Sequence, residues 1–395
     1  MREDWITKTL GEIGEFTRGG NFTKSDFVEI GIPCIHYGQI HMHYGVTTEK
    51  TLSYLPKDFQ KIKYAKKGDL IIAITSEDDE GSCKCTAWLG NENVAVGGHI
   101  AVYHHSLDPK FMSYYFRSPQ FQKEKLAFTH GFKVVEIKPS DIAKIRISYP
   151  KSLPEQERIV SLLDTQFAKI DALKANAASQ LLAAKDLFQA ALKQLLTPQE
   201  GWEMKTLDEI STDIYRGSGI TRDQITNDGI SCVRYGEIYT TYNYWFDKCK
   251  SHTDESKIKS PKYFENGDIL FTITGESVED IAKSVAYLGV EKCLAGGDIV
   301  VMKHNQNAKY LSYALSTPDA IKQKGLGKTK LKVVHSNVPS IKSIVIPLPS
   351  LPEQERIAAR LDEISEKVKA LQANYDQTIN LCNDLKQSLL KSIFA

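Results

Sequence analysis

The chain has 395 residues, of which 42% are hydrophobic and 25% charged, and its formal net charge is +1. This composition is typical of a globular chain with two or three domains, and it excludes a disordered chain and a polycation. No apolar run reaches the roughly 18 residues that a membrane span needs, and the N-terminus lacks the apolar core of a signal peptide. We therefore expect a cytoplasmic protein with no membrane partner.

The chain contains an internal repeat, because a unit of about 198 residues occurs twice. The letters SLPEQERI stand at residues 152–159 and again at 350–357. Upstream of them, IPCIHYGQI at 32–40 corresponds to ISCVRYGEI at 230–238, and GDLIIAIT at 68–75 corresponds to GDILFTIT at 267–274. A tandem duplication of one domain is the simplest explanation.

The first part of each copy, residues 1–150 and 199–349, has the pattern of a mixed domain. Short β-branched runs such as LIIAIT, HIAVYH and AKIRISYP are bounded by Gly, Pro and Asp, which is typical of strands. Their counterparts in the second copy are ILFTIT, DIVVMKH and KSIVIPLP, and segments with helical patterns lie between the strands in both copies. We predict an α+β fold, built from a duplicated mixed α/β domain.

The second part of each copy, residues 151–198 and 350–395, predicts one long helix. SLPE is a helix start, with Ser as N-cap and Glu three residues later. The apolar residues recur every seven positions. In the first helix they are Leu163, Ile170, Ala177, Ala184 and Ala191, with Leu173 and Leu187 three later and Phe167, Leu181, Phe188 and Leu195 beside them. In the second helix they are Leu361, Val368, Tyr375, Cys382 and Leu389, with Ile364, Leu371 and Leu385 three later and Ile379 and Ile393 adjoining. This repeat predicts an antiparallel coiled coil that relates the copies by a pseudo-twofold axis. The alternative is that each helix packs on the core of its own domain.

The candidate binding residues lie where the two copies differ. Polar and aromatic side chains that pair with base edges or stack on bases are concentrated there. In the first copy they are His36, Tyr37, Gln39, His41, His43 and Tyr44, and in the second Arg234, Tyr235, Glu237, Tyr239, Tyr242, Asn243 and Tyr244. A shared framework with unlike loops predicts two different DNA half-sites. A polar loop without a ligand is the alternative for each of these residues.

Basic residues flank these loops and are candidate phosphate contacts. They are Arg18, Lys24, Lys84 and Lys133 in the first copy, and Arg216, Arg222, Lys283, Lys328, Lys330 and Lys332 in the second. For each of them, simple solvation at the surface is the alternative.

Motifs for catalysis or metal binding are incomplete in this sequence. GLGKT at 325–329 is not a P-loop, because Lys322 stands where that motif requires its first glycine. Cys83 and Cys85 have one residue between them and no second pair, and the histidines of HMH at 41–43 lack further ligands. The seven cysteines include no CxxC pair, so we expect free thiols and no metal site.

The repeated LPEQERI, together with YGEIY, GDIL and GGDI in the second copy, resembles the specificity subunit of type I restriction-modification systems over essentially the whole chain. The resemblance implies target-recognition domains at 1–150 and 199–349, each reading one half of a bipartite, asymmetric sequence in double-stranded DNA. It also implies that spacer helices at 151–198 and 350–395 set the gap and dock two methyltransferase (modification) subunits.

The resemblance further implies a chain that is not itself an enzyme and that binds no cofactor. S-adenosylmethionine is then expected on the methyltransferase subunits, and ATP and Mg on the restriction/translocase subunits. Two alternatives stay open from the residues alone. One is a stand-alone duplicated DNA-binding protein, which would bind a specific site without partners, and the other is a coiled-coil adaptor, which would bind only protein.

Overall fold

The structure is a computed structural model that describes residues 4–129, 134–275, 277, 281–326 and 334–395. The chain divides into two compact units, Met1–Ala178 with Asp376–Ala395, and Ser179–Tyr375. Each unit combines one mixed domain, the first part of the long helix that follows it, and the last part of the other long helix. The two units are therefore built from equivalent structural elements.

The elements of the first domain alternate between short strands and short helices. The strands are β1 (Trp5–Thr9), β2 (Gly14–Arg18), β3 (Ile32–Ile35), β4 (Thr47–Thr48), β5 (Ser53–Leu55), β6 (Tyr64–Ala65), β7 (Leu70–Ala73), β8 (Thr75–Ser76), β9 (Cys85–Trp88), β10 (Val94–Val96), β11 (Ile100–His105), β12 (Val135–Glu136) and β13 (Arg146–Pro150). The helices are α1 (Leu10–Ile13), α2 (Tyr37–Met42), α3 (Pro109–Phe116), α4 (Pro119–Lys125), α5 (Pro139–Ile142) and the long α6 (Leu153–Leu195).

Two sheets form the body of the first domain. The larger has the order β2-β11-β7-β9-β4 and the smaller β5-β3-β10-β6, with parallel pairing only between β4 and β9 and between β3 and β10. All four residues of β7 are buried, because Leu70 and Ile72 face one core while Ile71 and Ala73 face another. A strand covered on both sides reads as a continuous apolar run, as LIIA does.

The second domain repeats this arrangement. Its strands are β14 (Glu203–Thr206), β15 (Ser211–Arg216), β16 (Ile225–Thr226), β17 (Ile230–Val233), β18 (Trp245–Phe246), β19 (Ser251–Thr253), β20 (Tyr263–Phe264), β21 (Ile269–Thr272), β22 (Thr274–Gly275), β23 (Ser284–Tyr287), β24 (Cys293–Ala295), β25 (Ile299–His304), β26 (Val334–His335) and β27 (Val345–Leu348). Its helices are α7 (Leu207–Ile210), α8 (Tyr235–Thr240), α9 (Ala308–Ala314), α10 (Pro318–Gly325), α11 (Val338–Lys342) and the long α12 (Leu351–Phe394). The main sheet has the equivalent order β15-β25-β21-β23-β18.

The long helices α6 and α12 run antiparallel within each unit. In the first unit, Asp171 pairs with Lys386 at 2.5 Å, and Lys174 donates to Asn383 at 2.8 Å, so numbers rise along α6 as they fall along α12. In the second unit, residues of α6 around Phe188 share a core with residues of α12 around Leu361. Neither helix, nor any other described helix, combines the length and apolar character that crossing a bilayer requires.

The register of the helix seam differs from the prediction. The seven-residue series from Leu163 to Ala184 is buried, but Leu173 and Leu187, three residues later, are 51% and 54% exposed. The second seam position is instead formed by the apolar residues four positions later, Phe167, Leu181 and Phe188, which the sequence pattern also includes. There Phe167 packs on Tyr114 of α3 with ring centroids 5.4 Å apart. Leu371 and Leu385 are likewise exposed in α12. Each helix thus packs both on the other helix and on a neighbouring domain, so the coiled-coil contact and the domain contact occur together.

The repeated SLPEQERI segment joins each domain to its helix. Gln156 is fully buried, and its Oε1 accepts from the backbone N–H of Asp108 at 2.8 Å while its Nε2 donates to the carbonyl of Pro150 at 2.9 Å. Gln354 forms the same pair of bonds, with Asn307 at 3.0 Å and Pro349 at 2.9 Å. The segment therefore fixes where the helix leaves the domain.

Candidate nucleic-acid interface

The candidate interface of each unit is built around one short helix, α2 or α8, that follows a buried strand. In α2, the Oε1 of Gln39 accepts from the backbone N–H of His36 at 2.9 Å, and its Nε2 donates to Ser53 at 2.6 Å. In α8, Glu237 takes the place of the glutamine, accepting from the N–H of Arg234 at 3.2 Å and from the Ser251 hydroxyl. Gln39 and Glu237 therefore shape the helix start, and their polar groups have internal partners.

A second pair of contacts ties each helix to the neighbouring loop. His41 Nε2 lies 3.0 Å from the carbonyl oxygen of Thr75, and the Tyr239 hydroxyl donates to the carbonyl of Thr274 at 3.1 Å. Lys84 donates to the carbonyl of His41 at 2.6 Å. The same framework bond is thus made by histidine in one unit and by tyrosine in the other.

In the second unit, Lys283 fills the place of Lys84. It donates to the carbonyl of Tyr242 at 2.9 Å. In the first unit, burial and the nearby Arg117 lower the pKa of the Lys84 ammonium below its usual range. Both lysines hold the ends of their helices, and neither ammonium points freely into solvent.

Three predicted base-contacting tyrosines face inward. The Tyr44 hydroxyl accepts from the N–H of Leu52 at 3.0 Å, and the Tyr242 hydroxyl accepts from the N–H of Lys250 at 2.9 Å. Burial raises the pKa of Tyr44. The ring of Tyr244 packs on Phe188 of α6 at 5.3 Å. These tyrosines close loops or join the domain to its helix, so their hydroxyls and rings are already engaged.

Arg18 and Arg216 occupy equivalent exposed positions. Arg18 Nε donates to the carbonyl of Gly98 at 3.3 Å, and Arg216 Nε donates to that of Gly297 at 2.5 Å. Their side chains stay 59% and 60% exposed, and each has a carboxylate neighbour, with Glu136 at 3.7 Å from Arg18 and Asp298 at 3.0 Å from Arg216. The glycine pair holds each guanidinium at the surface in the same way, which suits a phosphate contact.

His36 is buried, and the remaining predicted contacts fall into two groups. Exposed or half-exposed side chains belong to Lys24, Tyr37, His43, Arg222, Arg234, Tyr235 and Asn243. The other predicted contacts, Lys133, Lys328, Lys330 and Lys332, lie outside the described residues, as does part of the GLGKT segment. With Arg18 and Arg216, the seven residues of the first group make nine accessible side chains among the 19 predicted contacts that lie within the described residues.

Two residues of this surface were not predicted. His99 lies beside Thr75, with Nδ1 3.0 Å from the hydroxyl, and its ring centroid is 5.1 Å from that of Tyr37. The equivalent position in the second unit is Asp298. The alignment of GGHI at 97–100 with GGDI at 296–299 could have indicated these two residues, because His99 and Asp298 differ directly after a shared pair of glycines.

The cysteines of the first domain are packing residues. Burial raises the pKa of Cys83 to about 12 and that of Cys85 to about 11, so both thiols stay protonated at neutral pH. Across the parts of the chain that the structure describes, no three His, Cys, Asp or Glu side chains come close enough to hold a metal ion.

Comparison with known proteins identifies the family. The chain matches the family model of the type I restriction modification DNA specificity domain at residues 2–182 and 199–381. It is 24% identical over 426 residues to the StySPI type I restriction enzyme specificity subunit of Salmonella potsdam, covering 100% of this chain and 89% of that protein. It is 22% identical over 431 residues to the EcoKI specificity subunit of Escherichia coli K12, with the same coverage of 100% and 89%.

Solved structures share the fold. A chain from work on complex assembly and conformational transition of the type I R-M system matches with a TM-score of 0.77, at 19% identity, over 99% of this chain and 97% of that one. The HsdS subunit of Thermoanaerobacter tengcongensis matches with a TM-score of 0.61, at 18% identity, over 100% and 97%. The chain therefore belongs to the type I restriction modification DNA specificity family, and it is the DNA-recognition subunit, not a catalytic subunit, of a restriction-modification complex.

Proposed function

We propose that each unit reads one half of a bipartite, asymmetric sequence in double-stranded DNA. The recognition domains are residues 1–150 and 199–349, and each would present its short helix, α2 or α8, with the adjoining loops to the major groove. The observation that carries the proposal is that His41 and Tyr239, at equivalent positions of the two short helices, contact the equivalent carbonyls of Thr75 and Thr274 with different side chains. One scaffold with unlike side chains suits two different half-sites.

The basic residues of this surface support a distinction between residues that contact phosphates and residues that contact bases. Arg18 and Arg216 donate to equivalent glycine carbonyls in the two units, as expected for contacts with a sugar-phosphate backbone that is the same in both half-sites. The net charge of the whole chain is only +1, so its affinity for DNA must come from such local contacts.

The outer faces of the long helices support docking of partner proteins. Leu173 and Leu385 are exposed in the first unit, and Leu182 and Leu187 are exposed in the second. The exposed fraction of these four leucines lies between 51% and 62%. Exposed leucines on a helix face are typical of protein interfaces. We propose that the spacer helices, residues 151–198 and 350–395, set the gap and dock two methyltransferase subunits, one on each unit, with restriction/translocase subunits joining that complex. S-adenosylmethionine, ATP and Mg would then bind those partners.

Co-expression with the methyltransferase subunit of the same system tests this proposal. The expected complex contains two methyltransferase subunits for each copy of this chain, and single-molecule methylation sequencing of its DNA yields one bipartite, asymmetric motif. A palindromic or continuous motif would contradict the two-reader account. Specific DNA binding by this chain without partners would favour the stand-alone DNA-binding protein.

A further inference from the structure

A cleft of about 540 Å³ opens beside α8 in the second unit. Three basic side chains line it, and they belong to Arg222, Arg234 and Lys250. Gly296 forms part of its wall and leaves no room for a side chain, because an added Cβ would lie 2.9 Å from the carbonyl oxygen of Val233. The cleft is therefore a defined hollow with a basic lining.

The carboxylates of this cleft are already engaged. Glu237 accepts from the backbone N–H of Arg234 and from the Ser251 hydroxyl, and Asp298 pairs with Arg216 at 3.0 Å. Arg234 itself forms no ion pair with any carboxylate of the described residues. Three basic side chains therefore share the hollow with Glu237 and Asp298, and because Asp298 is paired with Arg216, the hollow keeps a net positive charge.

Arg234 carries an unused donor. Its Nε is buried and has no hydrogen-bond partner among the described residues, although the side chain as a whole is only half-buried. The fold itself therefore does not engage this guanidinium, which stays available to a ligand in the cleft. Arg234 lines the cleft, and no hydrogen bond or ion pair within the described residues takes up its terminal amino groups.

The first unit uses the equivalent position differently. There His36 is buried, with Nδ1 accepting from the N–H of Gly38 at 3.2 Å and the ring packed against Tyr37 at 4.5 Å. The residue at this equivalent position is histidine in the first unit and arginine in the second, whereas Arg18 and Arg216 are the same residue type in both units. A phosphate contact carries no sequence information, so a position that differs between the two readers suits a base contact better.

We propose that Arg234 reads a guanine in the half-site bound by the second unit. Its two terminal amino groups donate to O6 and N7 on the major-groove edge of that base, which is the commonest specific arginine contact with DNA. Arg222 and Lys250 line the same cleft and contact the flanking phosphates. This inference rests on the proposed function and names one base pair that the second unit requires.

Base analogues test the contact with the unaltered complex of this chain and its methyltransferase subunits. Each guanine of the second half-site is replaced in turn by 7-deazaguanine, which lacks the N7 acceptor, or by inosine, which keeps both O6 and N7. One guanine is expected to show binding weakened about 5- to 150-fold by 7-deazaguanine and nearly unchanged by inosine. A half-site without a G·C pair, or without such a guanine, overturns the inference.

Two variants assign the effect to Arg234. In the complex with Arg234→Gln, the sensitive guanine is expected to lose its preference over the other bases, and 7-deazaguanine there has no further effect. The matched control Arg222→Ala weakens every sequence alike and keeps the analogue effect. If Arg234→Gln instead weakens all sequences equally, Arg234 contacts a phosphate and the inference is wrong.

The failure of this inference is distinguishable from the failure of the proposed function. An unaltered complex that methylates no bipartite motif contradicts the proposed function itself. If Arg234→Gln does not fold, Arg234→Lys takes its place, because lysine keeps the charge but cannot donate to O6 and N7 with a rigid pair of amino groups. The preference for the sensitive guanine is then expected to fall, and an unchanged preference overturns the inference.

Discussion

The side-chain oxygen of Gln156 accepts a hydrogen bond at 2.8 Å from the backbone N–H of Asp108, inside the first unit. Gln354 and Asn307 repeat this bond at 3.0 Å in the second unit. Asp108 and Asn307 are the N-caps of α3 and α9, so each glutamine reaches from the long helix to the start of a domain helix. The duplicated LPEQERI letters thus describe a joint between domain and spacer.

Loss of this joint is expected to destabilise the unit that contains it. Gln156→Ala leaves the N–H of Asp108 and the carbonyl of Pro150 buried without partners, which costs about 1–3 kcal/mol in the free energy of unfolding. Thermal and urea unfolding measure the change. The neighbouring surface variant Glu157→Ala is the control and should stay within about 0.5 kcal/mol. An equally small effect of Gln156→Ala would show that the joint is dispensable.

A phosphate contact at Arg222 predicts a uniform loss of DNA affinity. Arg222 is exposed at the rim of the basic cleft, so Arg222→Ala should weaken binding to all sequences alike and lower the slope of log K against log salt by about one. Binding titrations from low to high salt measure the slope. Lys193→Ala, an exposed site on α6, serves as control. A slope that does not change for Arg222→Ala would exclude this contact.

The spacer account predicts that helix length controls the gap. Seven residues inserted into both long helices, after residues 178 and 375 where the compact units divide, lengthen each helix by about 10 Å, or about three base pairs. Seven residues are close to two whole turns, so the helix faces keep their directions. Methylation sequencing should then report the same two half-sites with a gap about three base pairs longer.

A loop insertion provides the matched control for that experiment. Seven flexible residues placed between Gln199 and Glu200, beyond the end of α6, add chain without adding helix, and the gap should stay as it is. A gap that changes with the loop but not with the helices would contradict the spacer account.

His304 predicts acid sensitivity of the second unit. Its Nδ1 accepts from the N–H of Gln306 at 3.0 Å, and burial lowers the pKa of the imidazole to about 4. The unfolded chain, with a histidine pKa near 6.5, takes up the proton first as the pH falls, so stability is full above about pH 6.5 and is lost between about 6.5 and 4. We expect this histidine to account for a loss of about 3 kcal/mol over that range.

His304→Asn should remove that part of the pH dependence. Urea unfolding of the complete chain at pH 7.5 and 4.5, for the original and the variant, measures it. His105, the equivalent buried histidine of the first unit, has its pKa lowered to about 4 by burial as well, so His105→Asn should flatten the response of the first unit. Identical pH profiles for the variants and the original chain would refute this assignment.

The sequence predicts the duplication, the strands and the two long helices, because these follow from local letters and their period. It does not predict strand order, since β3 pairs in parallel with β10, a strand far along the chain. The predicted seam includes Leu173 and Leu187, which are exposed. Positions three and four residues after the buried series both lie near the seam of a helix, and the packing of Phe167 on Tyr114 selects the positions four residues later.

The site is predicted in outline for a similar reason. A polar letter in a loop indicates a surface but does not give the direction of its side chain. Tyr44 and Tyr242 turn inward because each hydroxyl accepts a backbone N–H of its own loop. The unlike pair His41 and Tyr239 was found because the repeat aligns them, and Arg234 stands out only once its buried Nε is seen without a partner.

Exchange of one domain tests the central claim most directly. Residues 1–150 are replaced by the corresponding domain of another specificity subunit, the chimera is co-expressed with its methyltransferase subunits, and single-molecule sequencing reads the methylated motif. Two independent readers on a helical spacer predict that one half-site changes while the other half-site and the gap stay the same. A change in both half-sites, or in neither, would contradict the account.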